Sequence, residues 1–366
     1  MRVALVHDWL VTARGGERVL EALCRMFPDA DLFTLLHQPG SQSELIEQRR
    51  ITTSLLDRVP GVYVRYRHLL PLMPAAIESL KLADYDLVLS SSHCVAKGVR
   101  VPVGTRHLSY VHAPMRYMWD LFDDYFGPGK APLPVRLAAR AARPALRAWD
   151  RASAQRPDAL VANSHHVAGK VKAFWGRDAS VVHPPVELSR FTAAPPGEGR
   201  GGYFLWLGAL APYKRVDLAL EAFRRTGLPL WVAGDGQDAG RIRRDLPPNV
   251  KLLGKVSDAD VPALYRDARA LVFPGEEDFG ITPLEAQASG RPVIALGRGG
   301  ALETVTERTG VFFREQDVGG LVEAVRQFEA RFEPGFQPAE ARAQAERFSP
   351  AAFETGIRAQ LARLGM

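Results

Sequence analysis

Short apolar runs alternate with amphipathic helical patterns along the first half of the chain. Val3–Val6 is an apolar run that predicts a strand, and Gly16–Phe27 has the spacing of a helix that follows it. A second helix is predicted at Ser164–Trp175, and further strands are predicted at Asp31–Leu36, Asp86–Leu89, His107–Val111, Ala159–Ala162 and Ser180–Val182. Such alternation is typical of α/β units with largely parallel sheets.

The pattern restarts after a segment rich in proline and glycine. His183-Pro184-Pro185 interrupts the first series, and residues 193–202 have the composition of a linker. Beyond it, helices are predicted at Val216–Arg225, Asp258–Asp267 and Thr282–Ser289. Strands are predicted at Tyr203–Leu207, Leu230–Ala233, Val250–Leu253, Ala270–Phe273 and Pro292–Ala295.

Length supports two domains, because 366 residues exceed what one core usually holds. We place an N-terminal domain at 1–185, a C-terminal domain at 186–345 and a terminal helix at 346–366. In that helix Phe348, Phe353, Ile357 and Leu361 fall near one face. Since open α/β sheets bind ligands beyond the carboxyl ends of their strands, two such domains imply a cleft with the chemistry in those loops.

Charge and cysteine content narrow the class of protein. The net charge is +6, and the basic excess lies within residues 1–190, which favours an anionic partner for that half. Two cysteines form no disulfide framework, and the N-terminal apolar run is shorter than that of a signal peptide. We therefore expect a cytoplasmic protein without a membrane span.

A basic stripe is predicted within the first domain. Five arginines are spaced 4, 3, 4 and 4 residues apart, which places them on one helical face: Arg136, Arg140, Arg143, Arg147 and Arg151. Two interpretations stay open for this stripe. One is a solvated charged face, and the other is peripheral contact with an anionic membrane.

Two loops that follow predicted strands carry candidate anion-binding groups. Gly15-Gly16 lies between a strand and a helix, where glycine lets the backbone approach a ligand, although a plain tight turn fits equally. The third glycine of the dinucleotide-binding fingerprint is missing, which argues against a nicotinamide-dependent oxidoreductase. Lys214 lies in the loop Leu207–Arg215, from which a lysine can neutralise phosphate charge.

The most specific segment is Phe273–Ile294. Glu277 follows a predicted strand, and Glu285 lies eight residues further on in the next helix. Carboxylates accept paired hydrogen bonds from sugar hydroxyls, so one acid could hold a hexose and the other a ribose. Gly280-Ile281-Thr282 opens the helix, whose free amides suit a diphosphate.

This segment resembles the E-x7-E region of the retaining glycosyltransferases of family 4, which have the GT-B fold. The resemblance spans nearly the whole chain and includes the glycine loop, the lysine loop, Gly234-Asp235-Gly236 and the terminal helix. It implies two Rossmann-like domains that face a cleft, with the terminal helix crossing back to the first domain. The stretches His7–Val19 and Tyr110–Asp120 look like bacterial mannosyltransferases that build O-antigen and exopolysaccharide.

The resemblance also implies roles for individual residues. Lys214 would pair with the donor diphosphate, Glu277 would hold hydroxyls of the transferred sugar, and Glu285 would hold the nucleotide ribose. His112 would lie beside the sugar, and the remaining donor contacts would come from Gly15, Gly16, Arg215, Phe279, Gly280, Ile281 and Thr282. Many family members carry an arginine after the glycine of the lysine loop, where this chain has Ala209.

The expected reaction is transfer of a hexose, favoured as mannose from GDP-mannose, with its anomeric configuration retained. The acceptor is expected to be a glycan, or a glycan on a polyprenyl diphosphate at the inner membrane face, in cell-surface polysaccharide synthesis. No cofactor, metal or nucleic acid is implied, and Asp123-Asp124 is interpreted as a solvated loop. The alternatives are a GT-B nucleotide-sugar epimerase and a non-catalytic sugar-nucleotide-binding protein.

Overall fold

The chain forms two compact units in a computed structural model that describes residues 1–12, 15–193, 201–236 and 238–366. The first unit contains residues 1–185 together with 351–366, and the second contains residues 186–350. Most of the linker expected from composition, residues 194–200, lies outside the described part of the chain.

A seven-stranded sheet forms the centre of the first unit. Its strands are β1 (Val3–His7), β2 (Asp31–Thr34), β3 (Ile51–Thr53), β4 (Leu87–Ser92), β5 (Arg106–Val111), β6 (Ala159–Ala162) and β7 (Ser180–Val181). They pair in parallel in the order β3-β2-β1-β4-β5-β6-β7. Its helices are α1 (Gly15–Met26), α2 (Glu44–Glu47), α3 (Val62–Arg65), α4 (Met73–Glu78), α5 (Phe122–Phe126), α6 (Leu133–Ser153) and α7 (His165–Trp175).

The second unit repeats this design with six parallel strands. They are β8 (Phe204–Leu207), β9 (Leu230–Ala233), β10 (Val250–Gly254), β11 (Leu271–Phe273), β12 (Val293–Leu296) and β13 (Gly310–Phe313), in the order β10-β9-β8-β11-β12-β13. The helices are α8 (Val216–Thr226), α9 (Ala239–Arg244), α10 (Val261–Asp267), α11 (Ile281–Ala288), α12 (Ala301–Thr304), α13 (Val318–Gln327) and α14 (Pro338–Glu346); α15 (Pro350–Arg363) ends the chain.

Both sheets are doubly wound, and each reverses its strand order beside its first strand. In the first unit β1 lies between β2 and β4, and in the second unit β8 lies between β9 and β11. The chain leaves β1 toward β2 on one side and leaves β4 toward β5 on the other, and β8 and β11 diverge in the same way. The divergence opens a crevice at the carboxyl ends of each pair of strands. These crevices, next to β1 and next to β8, are where the fold favours ligand binding.

The central strands are apolar because helices cover both faces of each sheet. All five residues of β1 and all six of β4 are buried, as are all four of β12. Strands buried on both faces lose the alternation of polar and apolar residues and become continuous apolar runs. This explains why the strands were visible in the sequence as runs rather than as alternating patterns.

The terminal helix α15 packs on the first unit, as its assignment to that unit requires. Phe353, Ile357 and Leu361 are buried in the core that contains β1 and β4, and the ring of Phe353 lies 5.6 Å from that of Tyr110. The prediction of one common face was wrong for Phe348. It precedes the helix and packs in the core of the second unit.

Most predicted elements are confirmed to within a few residues, and the departures have local causes. The predicted helix Asp258–Asp267 begins only at Val261, because the Ser257 hydroxyl donates to the Asp260 carboxylate and holds a separate turn (2.6 Å). The predicted strand Asp31–Leu36 ends at Thr34. Asp123-Asp124 lies in α5 instead of a loop. The elements that were not predicted are strands β3 and β13 and helices α2, α3, α4, α5, α9, α12, α13 and α14.

The arginine stripe is not one uniform charged face. Helix α6 runs unbroken through Pro144, but the guanidinium groups of Arg143 and Arg147 lie over the rings of Phe122 and Trp119, each 4.0 Å from the ring centroid. Arg140 is exposed, as are Leu133 and Leu137. Throughout the residues described here, no helix combines the length and the apolar character needed to cross a bilayer.

We expect Ile357→Ala to lower the free energy of unfolding by about 2–5 kcal/mol, because it leaves a cavity at a fully buried position. Denaturant titration followed by circular dichroism measures this change. The exposed neighbour Arg358→Ala is the control and should change stability by less than about 0.5 kcal/mol. Equal midpoints for the two variants would contradict the packing of α15 in the core.

Candidate active site

The candidate residues form two groups, one in each unit, and each group lies at a reversal of strand order. In the first unit His7 ends β1, Ser91 lies near the end of β4, and His112 follows β5. His7 and Ser91 are direct partners in the register of β1 and β4. Because neighbouring parallel strands end at the same edge, these side chains meet there.

A hydrogen-bond chain joins this first group. The Ser91 hydroxyl lies 2.8 Å from Nε2 of His112 and 3.1 Å from Nδ1 of His7, and Nε2 of His7 lies 3.7 Å from the Glu17 carboxylate. The Ser91 hydroxyl therefore bridges the two imidazoles, with a ring nitrogen of His112 on one side and a ring nitrogen of His7 on the other.

Burial sets the protonation of the first group. His112 is 8% exposed, and burial followed by the charges of His93 and His7 lowers its pKa to about 3. Burial alone would raise the pKa of Glu17, but its interaction with His7 outweighs burial and lowers the pKa. Near neutral pH the site therefore holds a neutral His112 beside an ionised carboxylate.

Asp8 fixes the loop after β4 on which this arrangement depends. Its carboxylate accepts hydrogen bonds from the backbone N–H groups of residues 93–96, at 2.6 to 3.0 Å, and lies 3.0 Å from Nδ1 of His93. Burial raises the pKa of Asp8, but the interactions with His93 and His7 are stronger together and hold the pKa well below its usual range. Asp8 is thus an anchored anion with a positioning role.

Gly15 and Gly16 begin α1 next to the imidazoles. A Cβ atom on Gly16 would lie 3.7 Å from Nε2 of His112 and 3.8 Å from Cε1 of His7, so a side chain at this position would contact both rings and glycine leaves that space open. Gly15 has open space at the same position. The free N–H groups of a helix start favour a negatively charged ligand at this point.

In the second unit Lys214 and Glu277 form an ion pair. Lys214 lies in the loop after β8 and Glu277 in the loop after β11, and Nζ of Lys214 donates to Oε1 of Glu277 at 2.6 Å. Their side chains are 13% and 17% exposed. The loops approach closely because residue 275 is glycine: a Cβ there would lie 2.8 Å from Cα of Lys214. The crevice beside β8 thus contains two partly buried, opposite charges.

Glu285 and Thr282 lie in helix α11, which starts after the left-handed Gly280. The Tyr265 hydroxyl donates to Oε2 of Glu285 at 2.9 Å, which orients that carboxylate. Oγ1 of Thr282 is buried and has no hydrogen-bond partner within residues 201–236 and 238–366 or the described first unit. An unpaired buried hydroxyl at a helix start is costly and marks a place where a ligand can supply the missing hydrogen bond.

The other predicted donor contacts have different surroundings. The guanidinium group of Arg215 binds the carboxylate of Asp217, with Nε 3.2 Å from Oδ1. The side chain of Phe279 is buried in the core and lies 5.8 Å from the ring of Phe348, so only its backbone is suited to a ligand. Ile281 is half-buried at the start of α11, next to Gly280 and Thr282.

Sequence reasoning missed His7, Ser91 and Tyr265 as parts of these groups. For His7 and Ser91 a signal existed, because both are polar residues at the ends of apolar strands that the α/β pattern makes neighbours. Tyr265 gave no such signal, since its contact with Glu285 depends on how α10 packs on α11. The missed residues His7, Ser91 and Tyr265 thus all belong to contacts that hold a predicted site residue in place.

Comparison with known proteins shows which family the chain resembles. Residues 13–190 match the family described as Glycosyltransferase Family 4, and residues 201–330 match Glycosyl transferases group 1. The O-antigen chain mannosyltransferase C of Escherichia coli is 32% identical over 134 residues, which cover 34% of this chain and 36% of that protein. The GDP-mannose-dependent alpha-mannosyltransferase of Mycolicibacterium smegmatis is 34% identical over 187 residues, 48% of each chain.

Solved structures extend the likeness to the whole fold. The Anabaena protein HepE, in complex with UDP and glucose, superposes with a TM-score of 0.71 at 18% identity, covering 98% of this chain and 99% of that one. The two doubly wound units with charged groups beside their first strands thus define a GT-B protein. The chain belongs to the glycosyltransferases of family 4. Its matched segments span about half or less of the lengths of these curated relatives.

We expect His112 to make the protein less stable in acid. Its folded pKa is about 3 against 6.5 in an unfolded chain, so the unfolded state binds the proton first as the pH falls from 6.5. A group of this kind lowers the free energy of unfolding by about 1.4 kcal/mol per pH unit below its unfolded pKa.

His112→Gln should therefore flatten the loss of stability between pH 6.5 and pH 4, measured by denaturant titration at each pH. The exposed His68→Gln is the control and should keep the slope of the parent protein. Part of the slope remains in both variants, because burial also lowers the pKa of His107, to about 4. Identical slopes for the two variants would contradict a neutral, buried His112.

Proposed function

We propose that the protein is a retaining hexosyltransferase that moves mannose from GDP-mannose to a glycan acceptor in cell-surface polysaccharide synthesis. The acceptor would be carried on a polyprenyl diphosphate. The family to which the chain belongs supports transfer from a nucleotide sugar, and the names of two relatives support mannose and GDP-mannose. Those relatives match only part of their length, so the donor and the acceptor are both parts of this proposal.

The observation that carries the proposal is the ion pair of Lys214 and Glu277. Lys214 presents its ammonium group at the crevice, and an ammonium group can exchange a carboxylate contact such as that with Glu277 for phosphate oxygens. When Lys214 binds a diphosphate, the Glu277 carboxylate would become an acceptor for the vicinal hydroxyls of the attached hexose. One pair of side chains would thereby recognise both halves of the bond that breaks.

Charge stabilisation of the leaving diphosphate would be the main catalytic contribution. In the transition state the bond from the anomeric carbon to the diphosphate oxygen lengthens and negative charge grows on the diphosphate. Lys214, the N–H groups that begin α11 and the hydroxyl of Thr282 would receive that charge. The released diphosphate would accept the proton of the acceptor hydroxyl on the same face, which retains the configuration.

Glu285, His112 and the glycines complete the proposed donor contacts. Glu285, oriented by Tyr265, would accept hydrogen bonds from the ribose hydroxyls. A neutral His112 suits a sugar hydroxyl because it offers a hydrogen bond without competing for the diphosphate as a cation would. Gly15 and Gly16 would contact the donor through their backbone at the start of α1.

Helix α6 is proposed to bring the enzyme to a membrane that carries its acceptor. Leu133 and Leu137 are 60% and 57% exposed on the first turns of α6, and Arg140 is exposed one turn further. Apolar side chains next to basic ones bind at the surface of an anionic bilayer without crossing it. On this proposal the protein would act at the inner face of the membrane, with its donor supplied from the cytoplasm.

We expect Lys214→Ala to lower kcat/KM for GDP-mannose by about 100-fold, because one cation facing a buried diphosphate contributes several kcal/mol to the transition state. Steady-state transfer to a lipid-linked glycan acceptor measures the change. Lys251→Ala, which removes a lysine over the ring of Trp231 in the same unit, is the control. A rate like that of the parent protein in Lys214→Ala would remove this lysine from the site.

We expect the double change Leu133→Gln and Leu137→Gln to reduce co-sedimentation with phosphatidylglycerol vesicles, because it removes the apolar part of the proposed contact. The matched control is Leu55→Gln with Leu72→Gln, two exposed leucines of the same unit. Vesicle binding that is equal in the two double variants would contradict docking through α6.

A further inference from the structure

Three arginines of α6 surround a cavity that the donor site does not use. The cavity has a volume of about 350 Å³ and is lined by Trp119, Arg143, Pro144, Arg147, Ala148 and Arg151. The arginines are four residues apart, so their side chains leave the helix on one side, within about 12 Å along its axis. Arg140, by contrast, does not line the cavity.

Trp119 forms a rigid wall of the cavity. Its indole N–H donates to Oδ2 of Asp150 at 2.7 Å, and its ring stacks on Phe174 with centroids 4.7 Å apart and planes 6° apart. Asp150 is itself fully buried and accepts from the ammonium group of Lys97. The surface that supports the arginines is thus fixed by packing and hydrogen bonds on its inner side.

The guanidinium groups are held in place with unused donors. Arg143 donates through Nε and Nη2 to the carbonyl oxygens of Met118 and Trp119, and Arg151 donates through Nε to that of Phe174. Each therefore keeps further N–H groups for another acceptor. Arg147 lies over Trp119 and, with respect to all residues described, forms no hydrogen bond.

Among the described residues, no carboxylate lies within ion-pair distance of these three guanidinium groups. Burial, and then the charges of Arg143 and Arg151, lower the pKa of Arg147. Three like charges that are pre-positioned at one concave surface repel one another, and a multiply charged anion relieves that repulsion.

We propose that this cavity is a second anion site, which binds a diphosphate group. Arg147 supplies the central contact, with its planar guanidinium pre-oriented by Trp119 for two parallel hydrogen bonds. A diphosphate fits because it matches three positive charges and is larger than a single phosphate. The idea that the cavity holds the diphosphate of the acceptor rests on the proposed function. The binding of a diphosphate in the cavity does not depend on it.

The test compares two variants that lose the same charge in the first unit. Arg147→Gln removes the central guanidinium, and Arg67→Gln removes a guanidinium that lies over the ring of Tyr66, outside the cavity. Binding of inorganic diphosphate is measured by calorimetry at 0.15 M salt with the donor site saturated by GDP. We expect Arg147→Gln to weaken this binding by at least about tenfold, the loss of one charge-assisted hydrogen bond or more, and Arg67→Gln to leave it unchanged.

Equal diphosphate affinities in Arg147→Gln and Arg67→Gln, or no binding by the parent protein, would overturn the proposal. Thermal unfolding checks that both variants fold. If Arg147→Gln does not fold, Arg147→Lys takes its place: it keeps the charge but not the planar fork, and it should still bind more weakly than the parent protein.

Two vesicle arms identify the source of the diphosphate. Phosphatidylcholine vesicles carry either a polyprenyl diphosphate or phosphatidylglycerol at equal surface charge. If the parent protein prefers the polyprenyl diphosphate vesicles and Arg147→Gln abolishes this preference, the cavity binds a lipid-linked diphosphate. If the protein binds inorganic diphosphate but shows no such preference, the cavity binds the free anion. Either result supports the site. If transfer from GDP-mannose is absent while these results hold, the proposed function fails and the anion site stands.

Discussion

The candidate chemistry of this protein depends on where parallel strands end. Each unit places its first strand inside the sheet, with the next strands winding away on either side. The carboxyl ends beside β1 and beside β8 are therefore the points at which side chains from separate loops meet. His7, Ser91 and His112 meet at one of these points, and Lys214 and Glu277 at the other. The sheet supplies the convergence, and the loops supply the chemical groups.

The two groups differ in how they handle charge. The group in the first unit is a buried hydrogen-bond chain that ends in a neutral histidine, and the anions Asp8 and Glu17 beside it are held by backbone amides and by histidines. The group in the second unit keeps a lysine and a glutamate paired at low exposure. A neutral hydrogen-bonding partner suits a sugar, whereas an ion pair that can exchange partners suits a diphosphate bound to that sugar.

The α/β architecture and most elements could be predicted from the sequence, because strands buried on both faces are continuous apolar runs that need no knowledge of their neighbours. The positions of Lys214 and Glu277 at strand ends could be predicted because each lies in a loop that follows such a run, and the roles of both residues and of Glu285 in donor binding stay predictions. The contact of Ser91 with His112 depends on strand register, and that of Tyr265 with Glu285 on helix packing. Helical spacing likewise placed five arginines on one face but could not show that Trp119 and Phe122 cover part of it. Strand β3 has one apolar residue in three, which is too few for a pattern, whereas β13 was missed although it is as long as the predicted strands β6 and β9.

The central claim is that Lys214 and Glu277 divide the donor between them, the lysine holding the diphosphate and the glutamate holding the hexose. Calorimetric titration of Glu277→Ala with GDP and with GDP-mannose tests it most directly. Since Glu277 occupies Lys214 in the ligand-free protein, its removal should leave the affinity for GDP equal or tighter, and it should abolish the additional affinity for GDP-mannose. Parallel losses of affinity for both ligands, or no loss for either, would contradict this division.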